Sequence, residues 1–211
     1  MIPRYFTQIW LDEKIPFIKE FIIPYLLWFL FVPYGMIYVG LHSRKDFIRL
    51  FLFLFGGMAV ANLIFSVYPN AQGLRPTITS DDLFSFLVKL LYSIDTPTDV
   101  CPSMHVFNSI AVNTALQHSE SFSAKKYRKE MASILTILIC LSTVFLKQHA
   151  VFDGICGIGI AVLFYILLYK LPAYKQQKNG PKNQFIFATD NGLKAVDSIE
   201  RIEYDHIDTR L

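Results

Sequence analysis

Two histidines and one aspartate stand out in a chain otherwise crowded with apolar side chains. His149 is followed four residues later by Asp153. On a helical turn that spacing lets the carboxylate accept from one ring nitrogen, fixing the tautomer and leaving the other nitrogen free to attack. His105 closes the run Cys101-Pro102-Ser103-Met104-His105. Pro102 suits the first turn of a helix, where the Ser103 hydroxyl and unpaired backbone N–H groups make a cradle for phosphate. Arg75, within Leu74-Arg75-Pro76, adds a guanidinium fork, and Lys147 adds a point charge. Imidazole is the side chain that exchanges protons near neutral pH. Two imidazoles, two cations and a helix N-terminus are what in-line phosphoryl transfer without a metal requires. The outer loops carry no carboxylates spaced for magnesium or zinc, so no metal and no cofactor is expected.

Such a site has to be held by something, and the composition says by what. Of 211 residues 53% are apolar and only 18% charged, against about 25% charged in a soluble domain. The apolar residues fall in long runs, the mark of a membrane protein. A net charge of +3 is too small to suggest nucleic acid as a partner, and three scattered cysteines imply no disulfide framework. No cleavable signal peptide is visible in residues 1–20, where Arg4, Asp12, Glu13 and Lys14 interrupt a weakly apolar stretch.

An all-α, integral membrane bundle of five, possibly six, crossing helices follows from hydropathy and helical period. The expected spans are Phe21–Leu41, Phe47–Tyr68, Val106–Leu116, Met131–Phe145 and Gly154–Tyr169. The third is the weakest, but His105, Ser109 and Asn113 share one face that a bundle can bury. Asp81–Ile94 reads as a short interfacial helix. Residues 1–20 form an N-terminal interfacial segment, 21–172 the membrane-embedded domain and 173–211 a polar tail with little fold of its own. Arg44, Lys45 and Arg49, then Lys125, Lys126, Arg128 and Lys129, then Lys170, Lys175, Lys178 and Lys182 all fall on one side of a five-pass chain. Positive charge marks the cytoplasm. The tail is therefore expected inside, and the chemistry-bearing loops on the extracytoplasmic face of the cell membrane.

Plainer roles compete at several positions. Lys147 can snorkel from the end of a span, Ser142 can bond back to a helix carbonyl, and Arg75 can bind headgroups from a turn. Asn108, Ser109 and Asn113 read best as interhelical contacts. Tyr68 reads as an interfacial anchor, with a place in the pocket as its alternative.

The order Arg75-Pro76, then Pro102-Ser103-Met104-His105, then Ser142, His149 and Asp153 resembles the type 2 phosphatidic acid phosphatase and haloperoxidase superfamily. The resemblance implies that His149 is the nucleophile forming a phosphohistidine and that Asp153 orients it. It implies that His105 protonates the leaving alcohol and then activates water or another acceptor. Arg75 and Ser103 would hold phosphate oxygens, with help from Ser142. Two family cations are missing: Tyr68 stands where a Lys is usual and Thr143 where an Arg is usual. Lys147 is the expected substitute for one of them. The implied activity is metal-independent hydrolysis of a lipid phosphate or pyrophosphate drawn from the bilayer. A lipid phosphotransferase resembling inositol phosphorylceramide and sphingomyelin synthases shares the motif residues. A non-catalytic scaffold or transporter that kept the fold is the third reading.

Overall fold

The central helix of the computed structural model is one whose sequence is rich in polar residues, Asn108, Ser109, Asn113 and Gln117 among them. The structure describes residues 5–172 in full, together with the backbone of 185–189 and 192–196. Five long helices run back and forth: α2 (Ile22–His42), α3 (Arg44–Val67), α5 (Met104–His118), α7 (Lys126–Phe145) and α8 (Val151–Tyr165). Helix α5 packs against each of the other four. Its Val106, Phe107, Asn108, Ser109, Ala111, Val112, Ala115 and Leu116 are all buried. It meets protein on every side, which is why its polar residues are tolerated and why hydropathy rates it low. Three glycines let neighbours come close. A Cβ on Gly35 would lie 2.3 Å from Val112, one on Gly57 1.9 Å from Phe107, and one on Gly157 2.7 Å from the Ser103 carbonyl.

The outward faces of the other helices are apolar and exposed, among them Leu30 at 68% and Leu63 at 67%. A surface of that kind is stable against lipid and a liability in water. Three helices are long and apolar enough to cross a membrane: Lys19–His42, Arg44–Val67 and Val151–Lys170. The amphipathic Leu83–Ile94 (α4) is the shorter apolar helix. Asp82 caps it, accepting from the backbone N–H groups of Phe84 and Ser85. Its Val88 and Leu91 are buried with Ile22, Tyr25 and Leu146.

The expectation of a purely α-helical chain needs correcting at two places. Tyr5–Phe6 (β1) pairs in parallel with Asn70–Ala71 (β2), and Thr98 bridges Ala71 from the other side. A small roof of three extended segments therefore lies over one end of the bundle. The short helix α1 (Trp10–Lys14) follows β1, so the N-terminal segment docks on the loops at this end. In the C-terminal unit, taken by itself, Phe185–Thr189 (β3) pairs antiparallel with Gly192–Val196 (β4). The tail expected to lack fold thus contains a strand pair. The rest of it, including Gly180-Pro181, Lys175, Lys178 and Lys182, lies outside the described residues, as does Arg4.

The roof, the start of α5 and the turn between α7 and α8 share one end of the bundle. The α2–α3 turn and the junction of α5 with the short helix α6 (Glu120–Ser123) share the other, where Tyr38 and Ser121 bond at 2.7 Å. The basic clusters at 44–49 and 125–129 belong to that second end.

Candidate functional site

Ser103 caps α5 with extended backbone, yet its hydroxyl makes no capping bond and is buried without any partner. Its N–H donates to the Asp153 carbonyl at 3.0 Å, which locks the start of α5 to the first turn of α8 over Gly157. Two residues further on, the ring of His105 lies 5.6 Å from that of His149, centroid to centroid. The remaining sides of His105 are walled by α2: Tyr25 at 4.6 Å and Trp28 at 4.4 Å. Sequence reasoning missed both aromatic rings, because nothing local ties α2 to the start of α5.

His149 follows α7 in the tight turn to α8. The Thr143 carbonyl accepts from the N–H groups of Gln148 and His149, at 2.9 and 3.1 Å. The ring Nδ1 lies 2.9 Å from the Val100 carbonyl. A carbonyl only accepts, so Nδ1 carries the proton and Nε2 the lone pair. Asp153 was expected to be the bonded partner. Its Oδ2 stands 3.6 Å from Nδ1, outside hydrogen-bond range, and accepts instead from the Ala150 N–H at 2.8 Å. The Asp153 Oδ1 is buried with no partner.

Val100 is held by a residue that the motif reading passed over. Asn70 is fully buried and uses both ends of its amide. Its Oδ1 accepts from the N–H groups of Val100 and Cys101, at 2.7 and 2.8 Å, and its Nδ2 donates to the Cys101 carbonyl at 2.9 Å. The roof thereby sets the position of the carbonyl that orients His149.

Arg75 reaches the same group of residues through Gln148. Its Nη1 donates to the carbonyls of Tyr92 and Asp95, at the open C-terminal end of α4, and its Nη2 donates to Gln148 Oε1 at 2.6 Å. The guanidinium also lies over the Tyr92 ring. Of its five N–H groups, the Nε–H remains buried and unpaired. Burial lowers its pKa from the usual guanidinium value, opposed by the Asp95 carboxylate. Gln148 is itself buried, and its Nε2 has no partner.

Two expected site residues have their polar groups engaged elsewhere. Ser142 donates back to the Ile139 carbonyl at 2.6 Å, the helical back-bond that competed with its phosphate role. Lys147, whose φ of 53° places it in the left-handed region, sends its ammonium to the carbonyls of Asp12 and Ile15, both at 2.6 Å. Burial lowers its pKa from the usual lysine value, with the Asp12 carboxylate opposing. It fastens the N-terminal segment. Asp12, buried, completes that fastening by accepting from the Val151 N–H at the start of α8. Tyr68 stacks on Tyr5 of the roof at 4.4 Å.

Arg75, Gln148, His149, Asp153, Ser103 and His105 therefore form one connected set. Buried polar atoms without partners collect in it: Arg75 Nε, Ser103 Oγ, His105 Nε2, Gln148 Nε2 and Asp153 Oδ1. Native interiors rarely leave such groups unpaired without a reason. Among the described residues no three His, Cys, Asp or Glu side chains are grouped to hold a metal ion.

Residues 50–177, more than half of the chain and the whole of this set, match the family model for the PAP2 superfamily. The chain belongs to the PAP2 superfamily. Membership suggests a phosphatase-type activity. No curated protein and no solved structure matches the chain.

Proposed function

We propose that this PAP2 chain is an integral membrane lipid phosphatase, acting on a lipid phosphate or pyrophosphate through a phosphohistidine. The observation that carries the reading is the set of unpaired donors, on Arg75, Ser103 and Gln148, around two imidazoles at a helix N-terminus. A tetrahedral oxyanion satisfies several such donors at once.

In the first half-reaction His149 Nε2 attacks phosphorus. The N–P bond forms as the P–O bond to the lipid breaks, and His105 gives its proton to the departing alkoxide. In the second, His105 takes a proton from water, the hydroxide oxygen attacks phosphorus, and the N–P bond breaks to release inorganic phosphate. Arg75, Ser103 and Gln148 hold the equatorial oxygens. Asp153 stabilises the imidazolium that His149 becomes, and Val100 keeps its tautomer.

In this reading α2, α3, α5, α7 and α8 all cross the bilayer, with α5 shielded by protein. The basic ends at 44–49 and 125–129 lie in the cytoplasm, so the site opens to the extracytoplasmic leaflet at headgroup depth. That placement favours a phosphate carried on a membrane lipid.

Purified protein incubated with a short-chain lipid phosphate in detergent tests the reading. Phosphate release that survives EDTA is expected. A headgroup-exchanged lipid without free phosphate would assign the transferase activity of the sphingomyelin synthase type, and no product at all would leave a scaffold.

A further inference from the structure

The bundle carries a second feature that the phosphoryl site does not use. Between α2 and α7 runs a groove of about 730 Å³, within the roughly 300–1,000 Å³ of ordinary ligand sites. Leu27, Leu30 and Phe31 line it from α2, and Leu135 and Leu138 from α7. Its two ends differ. At Leu27 and Leu138, toward the phosphoryl site, it is wholly apolar. At the far end it finishes at Tyr34, Tyr38 and Arg128. From Leu27 to Tyr38 the helix rises about 16 Å at 1.5 Å per residue, close to half of the roughly 30 Å hydrocarbon core. The groove therefore has the depth of a single leaflet, and its one cation sits where that leaflet's headgroups begin.

We propose that this groove binds an anionic phospholipid of the leaflet opposite the phosphoryl site, with an acyl chain along α2 and α7 and its phosphate on Arg128. Charge decides the occupant. Arg128 pairs with no carboxylate among the described residues, and Lys125, Lys126 and Lys129 surround it in sequence. Among the described residues only Lys126 of these four has an ion pair, with the exposed Glu130 at 3.6 Å. A basic cluster at the mouth of an apolar interhelical groove selects anionic over zwitterionic headgroups. Tyr38 adds a hydroxyl at the same depth, fixed by its 2.7 Å bond to Ser121. A substrate lipid held at His149 would put its polar end against Leu27 and Leu138, where the groove offers no partner. This inference shares with the phosphatase reading the placement of the helices across the bilayer, and not its chemistry.

The full chain in nanodiscs of phosphatidylcholine, with and without phosphatidylglycerol, provides the test. Retained lipid is counted by native mass spectrometry, and the melting temperature is followed in parallel. The phosphatidylglycerol discs are expected to yield retained anionic lipid and a higher melting temperature. Arg128→Gln is expected to weaken retention roughly fivefold, the worth of one cation at a lipid surface. Leu135→Trp, or Leu30→Trp from the other wall, should abolish retention while melting as the wild type does in phosphatidylcholine alone. Lys45→Gln, at the same end but off the groove, should change nothing. Equal retention of both lipids, or equal losses in Arg128→Gln and Lys45→Gln, would overturn the proposal. So would a dimer that the tryptophan variants dissociate, since a second copy would then fill the groove.

Discussion

The Nδ1–H of His149 ends on the carbonyl of Val100, 2.9 Å away, while the carboxylate of Asp153 stands 3.6 Å from the same nitrogen. Tautomer and charge stabilisation are thus divided between two groups. Where a carboxylate alone sets the tautomer, its amide replacement costs about 10⁴ in kcat. Here Asp153→Asn leaves the Val100 bond in place. The expected loss is smaller, about 10²-fold in kcat, with little change in KM. Steady-state kinetics on a soluble lipid phosphate checks this, and a loss as large as that of His149→Ala would give Asp153 the orienting role after all.

Asn70 should matter to turnover although it touches no reacting atom. Asn70→Ala strands the N–H groups of Val100 and Cys101 in a buried position, at about 1–3 kcal/mol for an unsatisfied group. It also frees the Val100 carbonyl to move. A lower melting temperature together with a kcat reduced at least tenfold is expected, against about 0.5 kcal/mol or less for ordinary surface changes. Unchanged kcat in a folded variant would separate the roof from the site.

Gln148 offers a cleaner contrast. Its Oε1 holds Arg75 at 2.6 Å and its Nε2 is unpaired. Gln148→Glu keeps an acceptor for Arg75 but removes the donor and adds a negative charge beside the expected phosphate. Vanadate inhibition should weaken by at least tenfold in this variant, more than in Gln148→Ala. The reverse order would show that only the hold on Arg75 counts.

Acid should reveal the tie between the N-terminal segment and α4. Lys19 and Ser85 donate to Asp82 and hold its carboxyl well below the usual carboxylate range. A depressed folded-state pKa gives stability that is complete above the unfolded value, near about 4, and that fades as pH falls through the folded value. Asn caps helices as well as Asp. Asp82→Asn should therefore lower the melting temperature at neutral pH, with the gap to wild type closing as the sample is acidified below about pH 4. A gap that persists in acid would point to packing.

The parts of the site that were legible in the sequence are local. The four-residue step from His149 brings Asp153 to 3.6 Å without the expected hydrogen bond, and the helix expected from Pro102 begins just beyond it, at Met104 with Ser103 as its cap. The parts that were not legible are bonds between distant segments. Asn70 grips a loop 31 residues on, Gln148 meets Arg75 across 73, and Lys147 reaches Asp12 across 135. Nothing in the immediate neighbourhood of these residues announces their partners. Lys147 shows the difference: two residues before the central histidine it reads as a phosphate ligand, and only the fold brings the Asp12 and Ile15 carbonyls to its ammonium. In the fold, hydropathy found α2, α3 and α8 readily, because they face outward. It rates α5 low, whose surroundings are protein.

The most direct test of the phosphohistidine is to quench the purified protein within milliseconds of mixing with a phosphorus-labelled lipid phosphate, in EDTA, and to map the label. A phosphoryl group that resists alkali, is lost in acid and sits on His149 is expected, absent in His149→Ala and accumulating when His105→Ala slows its release. Full turnover of the lipid phosphate with no label on His149 at any quench time, or undiminished turnover in His149→Ala, would contradict it.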